Sequence, residues 1–338
     1  MTSPSSMLSP RSVLVVLPPV RSRPSRSSNK LMLLTMAILL TSLLFLTLSL
    51  LGVDQAVASS PTNHHSVRSA GCARRSAPAQ PAGDVHSISV NGSSHEYLER
   101  LPTGYRAGKD VPMIVEFHGY ASSAQGIANL TQMPERGSKT GFVIVTPSGP
   151  GHTWVGSDTQ YVEALITRVE DSLCIDLDRV YATGFSIGAA FTILLACAHP
   201  SQFAAIATVA VDFRLGCSTP LPMLAFHGTE DPLVPYQDGA EGLSLPGVKV
   251  RGTLLNMSDW AQLDHCRKAP TQRRIGTDVE RRVWSSCAHG TQVVLYSVIG
   301  GGHTWPGAVR SASPMDTTQT ISATNVALDF FGRNVRHS

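Results

Sequence analysis

From about Val85 onward, short apolar runs alternate with stretches whose apolar residues recur at helical spacing. Val85–Val90 and His95–Leu101 alternate as strands on either side of Asn91-Gly92, a tight-hairpin signal. Met113–Phe117, Phe142–Val145, Val180–Ala182, Ala205–Val211, Met223–Phe226 and Val293–Ile299 are short and apolar, as a strand covered on both faces must be. Between them, Tyr161–Leu173 has helical spacing, and Ile187–Ala198 is an apolar helix stopped by His199-Pro200. An amphipathic helix over Ile321–Val335 closes the chain. This alternation predicts an α/β domain over 85–338: a mostly parallel, eight-stranded sheet with helices on both faces. The less regular, charge-rich segment from Glu241 to Arg282 reads as an excursion above that sheet.

The pattern before Val85 is different. Arg11, Arg21, Arg23, Arg26 and Lys30 precede an apolar run from Leu31 to Val53, and Ala56-Val57-Ala58 follows. Residues 1–58 therefore read as an export signal cleaved after Ala58, which makes the product a secreted, extracellular protein. The run is also long enough to span a bilayer, so an uncleaved signal anchor that holds the protein at a membrane is the alternative. Lipid on Cys72, after Ser69-Ala70-Gly71, is a weaker third reading. Residues 59–84, rich in Ser, Pro, Ala and Arg, read as a flexible linker.

Composition narrows the function. With 42% hydrophobic and 15% charged residues, the 338-residue chain is that of an ordinary globular protein. Five of its 27 basic residues lie in the leader, and the body is close to neutral. That leaves no basic surface for phosphates and excludes nucleic acid as a partner. The six cysteines all lie beyond the cleavage point, with no Cys-x-x-Cys pair and no zinc-site spacing. No metal is expected; disulfides are, as in other exported chains. Cys266 and Cys287, bracketing an Arg-rich loop, are the first pair expected, while a buried thiol in an apolar helix is the lesser alternative for Cys197.

Gly184-Phe185-Ser186-Ile187-Gly188 carries the chemistry. Gly-x-Ser-x-Gly between a strand and a helix puts the serine on a turn so tight that side chains flanking it would strike neighbouring backbone. A serine hydroxyl needs a base within hydrogen-bond reach, and in this arrangement acid and histidine follow the serine along the chain. His303, in Gly300-Gly301-Gly302-His303 after the last strand, is the candidate base; His199 reads as a helix cap, and His265 and His289 as surface residues. Asp231, in the turn after Met223–Phe226, is the candidate acid, with Asp212 its competitor and His227 a structural residue of the turn. The amides of Ile187 and Tyr120 are the candidate oxyanion donors. Trp154, Trp260 and Trp305 could form a substrate-binding rim or could be core; Trp154 and Trp305 are the substrate-binding candidates.

Phe117-His118-Gly119-Tyr120, Asp178 to Ser186, Ala225 to Pro232 and Gly301 to Gly307 together resemble the secreted polyhydroxybutyrate depolymerase and feruloyl esterase family of α/β-hydrolases. The resemblance runs from about Gly71 to the final helix. It implies no organic cofactor and an ester substrate attached to a polymer, either a polyester or a plant polysaccharide. On the matching motifs it implies Ser186, Asp231 and His303 as the triad. Members commonly carry Asn-Gly-Gly after the serine, where this chain has Ile187-Gly188-Ala189. Acetylxylan esterase and a secreted serine peptidase of the same fold are the alternative activities.

Overall fold

A computed structural model describes residues 68–76, 78, 84–214, 216–243, 247, 249–308 and 317–336. The leader and most of the linker, with the cleavage and anchor readings, lie outside the described residues. Among the described residues no helix is long and apolar enough to cross a membrane.

Among the described residues ten strands form one mixed sheet: β1 (Val85–Val90), β2 (Ser93–Arg100), β3 (Val111–Phe117), β4 (Val143–Pro147), β5 (Ile175–Phe185), β6 (Ala205–Val209), β7 (Met223–Gly228), β8 (Thr271–Ile275), β9 (Val279–Trp284) and β10 (Val293–Val298). Their order across the sheet is β1-β2-β4-β3-β5-β6-β7-β10-β9-β8. The centre, from β4 to β10, is parallel, and an antiparallel hairpin lies at each edge.

Among the described residues six α-helices cover it: α1 (Ala124–Thr131), α2 (Met133–Lys139), α3 (Thr159–Ser172), α4 (Ile187–Ala198), α5 (Thr253–Leu263) and α6 (Ala323–Arg333). Because successive strand residues face opposite sides, each central strand feeds two cores. Met113, Val115 and Phe117 pack under Leu165, Phe191 and Trp260 of α3, α4 and α5. Ile114, Ile144 and Tyr181 pack on the other face with Met133 of α2 and with Leu328 and Phe331 of α6. This two-sided burial is why the central strands read as continuous apolar runs.

Four expectations are corrected. The sheet has ten strands, not eight, because β8 and β9 come from the supposed excursion. Their sequences, TQRRI and VERRVW, are dominated by charge because β8 is an exposed edge, where Arg273 and Arg274 deter pairing with another chain. The linker is likewise not free over its described part. Ser69 N donates to Ile175 O at 2.9 Å, Ser69 Oγ bridges Leu173 O and Ile175 N, and Arg68 pairs with Asp110. Cys72 is bonded to Cys174, which removes the lipid reading. The other disulfides join Cys197 to Cys217 and Cys266 to Cys287, so Cys197 is not a lone thiol.

Candidate active site

Ser186 ends β5 and begins α4 with φ 57° and ψ −123°, a strained conformation for any residue with a side chain. Two glycines make the turn possible. A Cβ on Gly184 would stand 2.3 Å from Gly188 O, and one on Gly188 would stand 2.3 Å from Phe117 O. Ser186 N donates to Val209 O at 3.0 Å, which ties the turn to the end of β6.

His303 lies on the loop after β10, two residues beyond the sharp turn at Gly301 that follows Gly300 (φ 72°). Its Nε2 is 2.8 Å from Ser186 Oγ, and its Nδ1 is 2.8 Å from Asp231 Oδ2. Phe185 packs against the imidazole with ring centroids 5.0 Å apart. Asp231 follows β7 and is buried; its Oδ1 accepts from Leu233 N at 2.8 Å and Val234 N at 3.0 Å. With one oxygen held by two amides, the other has only one direction in which to meet His303. Three residues from the ends of three strands thus form one hydrogen-bonded relay. The arrangement can move a proton from the hydroxyl to the imidazole while a carboxylate steadies the cation that forms.

Asp212 is engaged elsewhere: its carboxylate bonds His227 Nδ1 at 2.6 Å and Asn256 Nδ2 at 2.7 Å, while Asp231 meets His303. His199 caps α4 and pairs with Glu163, and His265 and His289 are exposed at turns.

Ile187 N opens α4, where unpaired amides and the helix dipole favour negative charge. Gly119 passes close by: a Cβ there would lie 3.6 Å from Ser186 Cβ. His118, which the sequence did not single out, sets the following peptide. Gly149 N donates to its Nε2 at 2.9 Å, so Nδ1 carries the proton and donates to Gly119 O at 2.7 Å. Burial also holds the His118 pKa below the ordinary histidine value. Since carbonyl and amide of a trans peptide point opposite ways, this turns the Tyr120 N–H away from His118. Tyr120 itself is exposed, one residue after the glycine that approaches Ser186.

The tryptophan rim is corrected. Trp154 is 3% exposed, packs on Phe117 and Phe191, and donates from Nε1 to His118 O at 3.0 Å. Trp305 is 2% exposed and donates to Thr324 Oγ1, and Trp260 is fully buried with its Nε1 on Asp212 O. Each indole finds its hydrogen bond in the interior, so none presents a face to a polymer.

No family model matches the chain. Over 194 residues it is 31% identical to a probable feruloyl esterase C of Aspergillus flavus, an alignment covering 54% of this chain and 69% of that relative. The chain belongs to the feruloyl esterase family. It is accordingly a carboxylic ester hydrolase. The esterase is also 28% identical over 250 residues to feruloyl esterase C of Emericella nidulans, covering 71% of this chain and 84% of that one. An acetyl xylan esterase from Aspergillus awamori superposes with a TM-score of 0.54 at 17% identity, over 74% of the esterase and 99% of its own chain, a likeness of fold.

Proposed function

We propose that the esterase is a secreted serine hydrolase that cleaves hydroxycinnamoyl esters attached to plant polysaccharide through an acyl-enzyme. The observation that carries the mechanism is the unbroken relay from Ser186 Oγ through His303 to Asp231, with both links at 2.8 Å. In this reading His303 takes the Ser186 proton as Oγ attacks the ester carbonyl, and the amides of Ile187 and Tyr120 receive the oxyanion. His303 then protonates the departing alcohol, and water, activated by the same imidazole, releases the acid. The substrate class rests on the names of the relatives, which are feruloyl esterases. Secretion rests on the three disulfides together with the leader pattern.

The test is turnover of a nitrophenyl acetate, methyl ferulate, acetylated xylan and a soluble hydroxybutyrate oligomer by the purified protein. Methyl ferulate is expected to be preferred, and Ser186→Ala to lose at least roughly a thousandfold in kcat/KM with the fold intact. An alanine variant that keeps its turnover removes the serine mechanism. Preference for the acetyl or hydroxybutyrate substrate removes the substrate assignment alone.

A further inference from the structure

A second His–Asp pair lies behind the first. Asp212 and His227 are each 2% exposed. His227 Nε2 stands 2.8 Å from Val234 O, an oxygen that can only accept, so Nε2 carries a proton. Nδ1 stands 2.6 Å from Asp212 Oδ2, the length of a charge-assisted bond, so it carries a proton as well. A ring protonated on both nitrogens is an imidazolium. Helix α5 fixes its counter-ion: Asn256 Nδ2 donates to Asp212 Oδ1 at 2.7 Å, and Trp260 Nε1 donates to Asp212 O at 2.9 Å. Thr253 Oγ1, at 3.0 Å from Nδ1, completes the cage.

The pair meets the relay at Asp231. His227 Nε2 is 3.6 Å from Asp231 Oδ2, the oxygen that faces His303. We propose that His227 is a positioning residue, a buried imidazolium lodged between Asp212 and Asp231 that holds Asp231 in place and balances the charge His303 meets when it takes up a proton. The proposal rests on the reading of Ser186, His303 and Asp231 as the catalytic relay.

Charge explains why a cation belongs there. Two carboxylates buried side by side repel, and one would take up a proton unless a cation stood between them. Burial alone would push Asp212 up and His227 down, yet their mutual attraction and hydrogen bond outweigh it, and the Asp212 pKa falls while that of His227 rises. The remaining neighbours do not replace this charge. Tyr236 lies edge-on at 5.7 Å with its hydroxyl on Ser297 of β10, and Thr253 and Asn256 are neutral. Beyond Tyr236, Arg282 and Glu280 of β9 neutralise each other.

Removing the His227 charge favours a proton on His303, so the acid limb of kcat/KM moves to higher pH. The limb is expected to rise by about one unit in His227→Gln, from a Coulomb term across several ångströms at an intermediate dielectric. His227→Gln leaves Asp212 buried without its partner, so the double variant His227→Gln/Asp212→Asn is measured beside it; there too the limb rises, since the lost cation is nearer His303 than the lost anion. Nitrogen-15 spectra of the native protein give a reading that needs no folded variant. Both ring N–H signals of His227 should persist above the pH at which an ordinary imidazolium loses its proton. A neutral His227 ring, or active variants whose acid limb stays in place, overturns the proposal. Failure of the relay itself shows separately, as turnover retained by Ser186→Ala.

Discussion

Glu116, one residue before the end of β3, is fully buried against Thr131 of α1 and Thr146 of β4. Burial pushes its pKa from 4.5 up to about 7, against the opposing pull of the two threonine hydroxyls. Thr131 Oγ1 donates to Glu116 Oε1 at 2.6 Å and Thr146 Oγ1 donates to Oε2 at 3.2 Å, but two neutral hydroxyls do not offset the loss of water around a fully buried carboxylate. A carboxyl whose folded pKa is raised adds stability that is fully present below its unfolded value and is lost as pH rises through the folded value. The window is therefore about pH 4.5 to about 7, where the folded state binds the extra proton. At 1.36 kcal/mol per unit, a rise of this size amounts to about 3 kcal/mol lost by pH 8.

Glu116→Gln keeps the shape and stays neutral at every pH. It should match the native protein near pH 4.5 and exceed it at pH 8 by about 3 kcal/mol, or roughly 5–10 °C in Tm. Urea and thermal unfolding of both proteins across this range read the difference directly. Two stability curves that stay parallel from acid to alkaline pH would show that Glu116 does not hold the extra proton, and the reasoning fails.

Trp154→Phe removes a buried hydrogen bond to His118 O and part of a core ring stack, so stability should fall by about 1–3 kcal/mol while KM for methyl ferulate stays near native. A large rise in KM with unchanged stability would return Trp154 to the substrate surface. Replacing Cys72 and Cys174 by Ser opens a link across 102 residues and should lower stability by about 4–5 kcal/mol in urea, against about 3 kcal/mol for the shorter Cys266–Cys287 link. Equal losses for the two pairs would contradict loop closure as the source of the difference.

The relay was legible in the sequence because each of its members sits in a local pattern with its own physical cause. Gly184 and Gly188 are there because a Cβ would strike backbone, and Asp231 and His303 each follow an apolar strand whose end faces the same edge of a parallel sheet. Periodicity likewise foretold the central strands and the closing helix, since burial on two faces leaves a continuous apolar run. What depended on tertiary structure was every feature set by a neighbour distant in sequence. Strands β8 and β9 were hidden because an edge is selected for charge rather than apolar residues. The tryptophans could be read as rim or core until their indole N–H groups were seen to bond His118, Asp212 and Thr324. Segment 68–76 looked like linker because its anchors, Cys174 and Ile175, lie about a hundred residues away. Nor does any local pattern place Asp212 against His227 and His227 against Asp231. That buried chain of alternating charge exists only because parallel strands bring the ends of β6 and β7 together and α5 closes over them.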